Sequence, residues 1–148
     1  MPSRGVGVCA AALLLLAVSG CAIQPGSGLS ASQARVQFYN ALDLTQAAVG
    51  GTWDVQDDST ARGCVIPLWV EGVKFPGLRI GPAPRDPQAM ANAVYTAWSS
   101  WGYSVDRSRV GQVIQLQARG SKGDLLLFRV SENGMTLQGE SECRPKGA

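Results

Sequence analysis

The sequence predicts an α+β fold, a two-layer sandwich in which an antiparallel sheet carries two helices packed on one face. Three observations predict it. Ser30 to Val49 and Asp86 to Trp101 each repeat apolar or small residues at intervals of three and four. The last third of the chain alternates apolar and polar residues between turn signals. The resulting order, helix, hairpin, short strand, helix, three-stranded meander, allows both helices to cover the same sheet face.

Ahead of these elements the chain opens Met1-Pro2-Ser3-Arg4, runs uncharged from Gly5 to Val18 through Leu13 to Leu16, and closes on Ser19-Gly20-Cys21. A basic start, an apolar middle and small residues at the cut make a secretory signal. The apolar stretch is about 14 residues, against about 20 for a permanent membrane span. Val18-Ser19-Gly20-Cys21 resembles the bacterial lipobox at all four positions. Residues 1–20 are therefore expected to be cleaved, and Cys21 to carry a diacylglyceryl group that holds the chain on the outer face of the cell membrane. Buried methylenes contribute about 0.8 kcal/mol each, so two acyl chains anchor firmly where one is marginal. Cys9 precedes the leucine run and leaves with the signal. Residues 21–29, including Pro25-Gly26-Ser27-Gly28, have the composition of a flexible tether. Residues 30–148 are enough for one domain with its own core.

Composition removes several classes of chemistry. The formal charge is +2, Arg4 departs with the signal, and no basic stripe suited to nucleic acid remains. The chain has no histidine, which removes Ser-His and Cys-His nucleophile pairs, His-ligated zinc and imidazole as a general base. No catalytic, cofactor or metal motif stands out. Arginine outnumbers lysine and alanine and glycine are plentiful, a usage associated with GC-rich genomes such as those of actinobacteria. Two cysteines are left, Cys64 and Cys143, and in an oxidising compartment an isolated pair is most simply a disulfide. The loop it closes is about 80 residues, worth about 4.5 kcal/mol in the chain-entropy account. A redox-active pair would ordinarily show Cys-x-x-Cys spacing.

Within the domain, Ala31, Ala34, Phe38, Ala41, Leu42, Ala48 and Val49 line the first helix, and Gly50-Gly51 stops it. Thr52 to Val55 alternates, Asp57-Asp58-Ser59 supplies a turn, and Arg62 to Val70 is an apolar run. These read as a β-hairpin whose second strand Pro67 puts at an edge or a bulge. From Glu71 to Arg85 the prolines at 76, 82 and 84 leave room only for a short strand around Leu78-Arg79-Ile80. Asp86 caps the second helix with Pro87 in its first turn; Met90, Val94, Ala97, Trp98 and Trp101 form its stripe, and Gly102 ends it. The meander takes Val113 to Arg119, Asp124 to Glu132 and Met135 to Cys143. Asn133-Gly134 as its second turn sets Val130 opposite Leu137 and Phe128 opposite Gly139. Leu126, Phe128, Val130, Met135, Leu137 and Cys143 then share the inner face. Gln115, Gln117, Arg119, Arg129, Gln138 and Glu140 lie outside, with Leu125 and Leu127.

Trp53 just after a helix, the Asp57-Asp58 pair, Gly63-Cys64 in the next strand, a helix ending before Gly102, and the ending Gly139-Glu140-Ser141-Glu142-Cys143 resemble the small LppA-type lipoproteins of actinobacteria. The likeness runs over most of the mature domain on sparse positions. It implies a surface-anchored domain with a structural disulfide, and it supplies no catalytic residues.

Several clusters invite a functional reading. Asp54, Asp57 and Asp58 suggest calcium, but an EF-hand loop starting at Asp54 needs an acid at its twelfth position, which is Val65; a turn accounts for them. Gly120-Ser121-Lys122-Gly123 lacks the spacing and following helix of a phosphate cradle and reads as a hairpin loop. Glu140 and Glu142 fall beside each other on a wet surface, a setting that does not favour carboxylate-pair chemistry. Trp98 and Trp101, with Trp53 and Trp69, are candidates for an apolar pocket, against the plainer reading of core packing. Gln115, Gln117, Arg119, Arg129 and Gln138 are the candidate partner surface, against the plainer reading of a solvated sheet face. The leading expectation is a non-enzymatic module of the cell envelope that binds a protein or an envelope polymer. The alternative is a carrier of an apolar small molecule, such as a lipid or glycolipid, between helices and sheet. A histidine-independent hydrolase is the remaining enzymatic possibility.

Overall fold

The computed structural model describes residues 28–147; the signal segment, Cys21 and all of the 21–29 tether except Gly28 and Leu29 lie outside the described residues. The described residues fold into two helices and nine strands, an α+β architecture. Helix α1 spans Ala31–Val49 and helix α2 spans Pro87–Ser100. The strands are β1 Asp54–Val55, β2 Arg62–Ile66, β3 Val70–Lys74, β4 Pro76–Gly81, β5 Ser104–Val110, β6 Val113–Arg119, β7 Leu125–Ser131, β8 Gly134–Glu140 and β9 Arg144–Pro145. A six-stranded antiparallel sheet runs β1-β4-β8-β7-β6-β5, and a three-stranded sheet runs β2-β3-β9.

Both helices begin and end where local chemistry dictates. The Ser30 hydroxyl accepts from the Gln33 N–H while the Gln33 side chain accepts from the Ser30 N–H, a capping box. Gly50 closes the far end with φ 73°, a conformation that suits glycine. Asp86 accepts from the Ala89 N–H with Pro87 in the first turn. Each helix buries one stripe, Ala34, Phe38, Leu42 and Thr45 on α1 and Ala91, Val94 and Trp98 on α2.

These stripes pack on Ile114, Leu116 and Ala118 of β6, Leu126, Phe128 and Val130 of β7, and Met135 and Leu137 of β8. Trp98 is fully buried and donates its indole N–H to the Thr45 hydroxyl at 2.9 Å, which joins the helices through a polar contact inside the core. Helix α1 approaches the sheet over two glycines paired across β4 and β8, Gly77 and Gly139. A Cβ on Gly77 would sit 2.6 Å from the Leu42 side chain, and one on Gly139 would sit 3.1 Å from Phe38.

Four features differ from the pattern read in the sequence. Residues 52–55 do not pair with 62–70. Instead β1 lies against β4, and β2 forms a hairpin with β3 that closes over Pro67-Leu68-Trp69. Pro67 thus ends a strand within the apolar run. Asp57 is drawn to Arg79, which holds the chain after β1 along β4 rather than along β2. The 71–85 segment contains two strands, β3 and β4, with Pro76 tolerated at the first position of β4. Ser104–Val110 adds a fourth strand to the meander, an edge strand whose Asp106, Arg107 and Arg109 mask its period. The last hairpin turns on Glu132-Asn133, so Val130 faces Met135 and Phe128 faces Leu137. That register is two residues from the expected one, and an even slip leaves every side chain on its expected face.

Cys64 and Cys143 form a disulfide with Cα atoms 6.1 Å apart, tying β2 to the segment that follows β8. Gly72 lies across from Cys64 in β3, and a Cβ there would come within 2.7 Å of the Cys143 sulfur. The bridge crosses the position that a side chain at residue 72 would need.

Candidate functional site

The sheet face turned away from the helices is built from aligned cross-strand rows. One row runs Asp106, Gln117, Leu127, Gln138 and Leu78 from β5 to β4. A neighbouring row runs Ser104, Arg119, Leu125, Glu140 and Pro76. Strand alternation sends the flanking residues into the core, so the three leucines of these rows face outward and remain half-buried.

At the β4 end the face is enclosed. The connection between β1 and β2 folds back over β4, since the Gln56 N–H donates to the Leu78 carbonyl and the Leu78 N–H donates to Asp57 Oδ1. The result is a cleft of about 550 Å³ with Pro76, Leu78, Leu125 and Leu127 below and Gln56, Asp58, Arg62, Gln138 and Glu140 around it. Glu140 pairs with Lys74, and Asp58 faces Arg62 at 3.7 Å. The Thr60 N–H and hydroxyl lower the pKa of the exposed Asp58, favouring its charged form. Chemically the cleft offers an apolar strip, amide groups and charges of both signs, a composition that suits non-covalent recognition.

The partner-surface residues read from the sequence divide across this face. Gln138 lines the cleft. Gln117 adjoins it through Leu127, and Arg119 adjoins it through Leu125. Arg129 donates to Gln115 at 2.8 Å in the next row along the strands, outside the cleft. The rim residues Gln56 and Arg62 escape sequence reasoning, and Asp58 reads there only as part of a turn, because all three arrive through the pairing of β1 with β4.

The tryptophans do not converge. Trp98 is sealed in the core, Trp101 caps the end of α2 at 38% exposure, Trp53 lies over Gly81 and donates to the Gly50 carbonyl, and Trp69 stands 90% exposed on the β2–β3 turn. Trp98 occupies the space between helix and sheet that an apolar ligand would need. Glu140 and Glu142 are also separated. Ser141 turns inward to bond both the N–H and the carbonyl of Phe75, and Glu142 is buried, only 6% exposed. Asp57 is engaged by Arg79, whose Nη2 lies 2.8 Å from its carboxylate. The Gly120–Gly123 loop joins β6 to β7, with the Gly120 N–H donating to the Asp124 carbonyl.

Among solved structures, the chain is similar to the crystal structure of a DUF4853 family protein from Actinomyces odontolyticus, with a TM-score of 0.63 and 16% identity over 82% of this chain and 72% of that one. The likeness is one of fold. No protein-family model matches the chain, and no curated protein matches it.

Proposed function

We propose that the protein is a lipid-anchored, extracytoplasmic binding module of the cell envelope that takes its partner on the outer sheet face. The observation that carries this reading is the cleft, where Leu78, Leu125 and Leu127 face outward half-buried, ringed by paired charges and amides. An apolar centre with a polar rim is the anatomy of a recognition surface. The address rests on Val18-Ser19-Gly20-Cys21 and on the resemblance to the LppA-type lipoproteins. The non-enzymatic character rests on the absence of histidine and on cleft charges that are engaged with one another.

Two measurements on the full chain test it. The intact mass from host membranes should correspond to cleavage before Cys21 plus acyl groups. A tagged chain should also retain a discrete envelope component that Leu127→Arg loses and Val36→Arg, on the exposed side of α1, keeps. An unlipidated mass contradicts the address, and retention indifferent to Leu127 contradicts the site. A carrier with cargo between helices and sheet draws no support, because Trp98 fills that layer.

A further inference from the structure

We infer that Leu68 and Trp69, at the tip of the β2–β3 hairpin, form a second membrane contact that dips into the bilayer interface beside the lipid anchor. The inference rests on the anchored reading above and adds an orientation to it.

The tip is built in an unusual way. Trp69 is 90% and Leu68 70% exposed, with Val65 at 65% and Val70 at 45% beside them. No charged residue falls between Arg62 and Glu71. Leu68 and Trp69 adopt φ values of 75° and 63°, a left-handed conformation that disfavours bulky side chains and that glycine or asparagine would adopt more readily. A turn needed only to reverse the chain gains nothing from leucine and tryptophan here. Backbone strain of this kind costs energy and clusters at functional sites. Tryptophan favours the headgroup level of a bilayer, where its ring is apolar and its N–H stays wet.

The path of the chain indicates what covers the tip. The Leu29 carbonyl accepts a 2.6 Å hydrogen bond from Arg144 Nε, so the described chain begins against β9. Arg144 sits across from Val73 of β3. Trp69 is four residues from Val73, a strand distance of about 13 Å. Cys21 lies eight residues before Leu29, and eight residues span at most about 29 Å when fully extended. A lipid on Cys21 therefore keeps the three-stranded sheet, and its exposed apolar tip, within reach of the same bilayer. The disulfide from Cys64 to Cys143 ties the base of the hairpin to the segment that follows β8.

The test uses the full lipidated chain in vesicles of phosphatidylethanolamine and phosphatidylglycerol, with and without lipid carrying a doxyl quencher near the headgroup. The emission lost in Trp69→Phe isolates the signal of Trp69, and this exposed substitution leaves the core intact. The expected result is that this emission is quenched by the doxyl lipid and shielded from aqueous iodide. A Leu68→Asn, Trp69→Gly variant, suited to the left-handed turn, should stay folded and remain on vesicles through its lipid alone. Quenching of Trp69 by iodide and not by doxyl lipid, in a chain that floats with the vesicles, overturns the hairpin contact and leaves the anchor standing. Shielding from both quenchers also overturns it, since a protein partner or a second copy then covers the tip. An unlipidated chain that fails to float overturns the anchor and the contact together.

Discussion

Arg79 donates to Asp57 from both Nε and Nη2, at 3.1 and 2.8 Å, from a position on β4 that is only 3% exposed. Its other nitrogen, Nη1, reaches Asp43 and Gln46 on α1. One guanidinium thereby joins strand β4, the first helix and the connection that encloses the cleft. Burial alone would lower the Arg79 pKa, and the hydrogen bonds to Asp57 and Asp43 more than offset it.

Removing one member of that pair should cost more than the pair's own worth. Asp57→Ala leaves a buried cation short of its partner and should destabilise the protein by about 3–5 kcal/mol, while Asp43→Ala, on a side chain that is 64% exposed, should cost about 1 kcal/mol or less. Urea unfolding of the two variants checks the ordering. Equal losses would mean that the Asp57 contact does not hold β1 against β4.

Trp98 and Thr45 depend on each other in the core. Thr45→Val removes the acceptor of the indole N–H while nearly preserving shape, and should cost about 1–3 kcal/mol. Trp98→Ala should cost about 3–5 kcal/mol through the cavity it leaves. Thermal or urea denaturation reads both, and a neutral Thr45→Val would show that the indole is satisfied elsewhere.

Gly72 and Gly63 are a matched test of the disulfide's surroundings. A Cβ at residue 72 meets the Cys143 sulfur and the Arg144 carbonyl at 2.7 and 2.9 Å, whereas one at residue 63 meets nothing within 4 Å. Gly72→Ala should destabilise by about 1–3 kcal/mol and Gly63→Ala by about 0.5 kcal/mol or less. Opening the bridge with Cys64→Ser and Cys143→Ser should cost about 4.5 kcal/mol in the chain-entropy account.

The pH dependence should show on the alkaline side. Burial, and then the hydrogen bond to Asp124, push the Tyr103 phenol above its ordinary range. Its neutral form is thus favoured in the folded chain, so its contribution is fully present below the unfolded phenol pKa of about 10 and declines as pH rises beyond it. Urea midpoints should be flat through neutral pH and fall above about pH 10, with a shallower fall in Tyr103→Phe. An identical fall in the variant would assign the effect to other groups.

The legible parts of the molecule are those whose causes are local. Gly50, and Asp86 with Pro87, mark helix ends because stops and caps act within a turn of the chain. Strands β6, β7 and β8 are readable because one face must be apolar, and that alternation survived a two-residue error in register. Cysteine counting was enough for the disulfide. The position of β1 was hidden because Arg79 and Asp57 lie 22 residues apart and no local pattern joins them. Strand β5 was hidden because its charged residues face solvent at a sheet edge. Leu125, Leu127 and Gln138 were legible as an outer face, but their enclosure by Gln56, Asp58 and Arg62 follows from the concealed β1 pairing. Glu142 was misplaced because parity continues only as far as the strand, and β8 stops at Glu140.

The central claim is that the outer-face cleft takes an envelope partner, and photo-crosslinking of the full chain in its host tests this most directly. A photoreactive residue at Leu127 should give one discrete adduct that the same residue at Tyr95, on the exposed side of α2, does not give. No adduct at 127, or the same adducts from both positions, would contradict it.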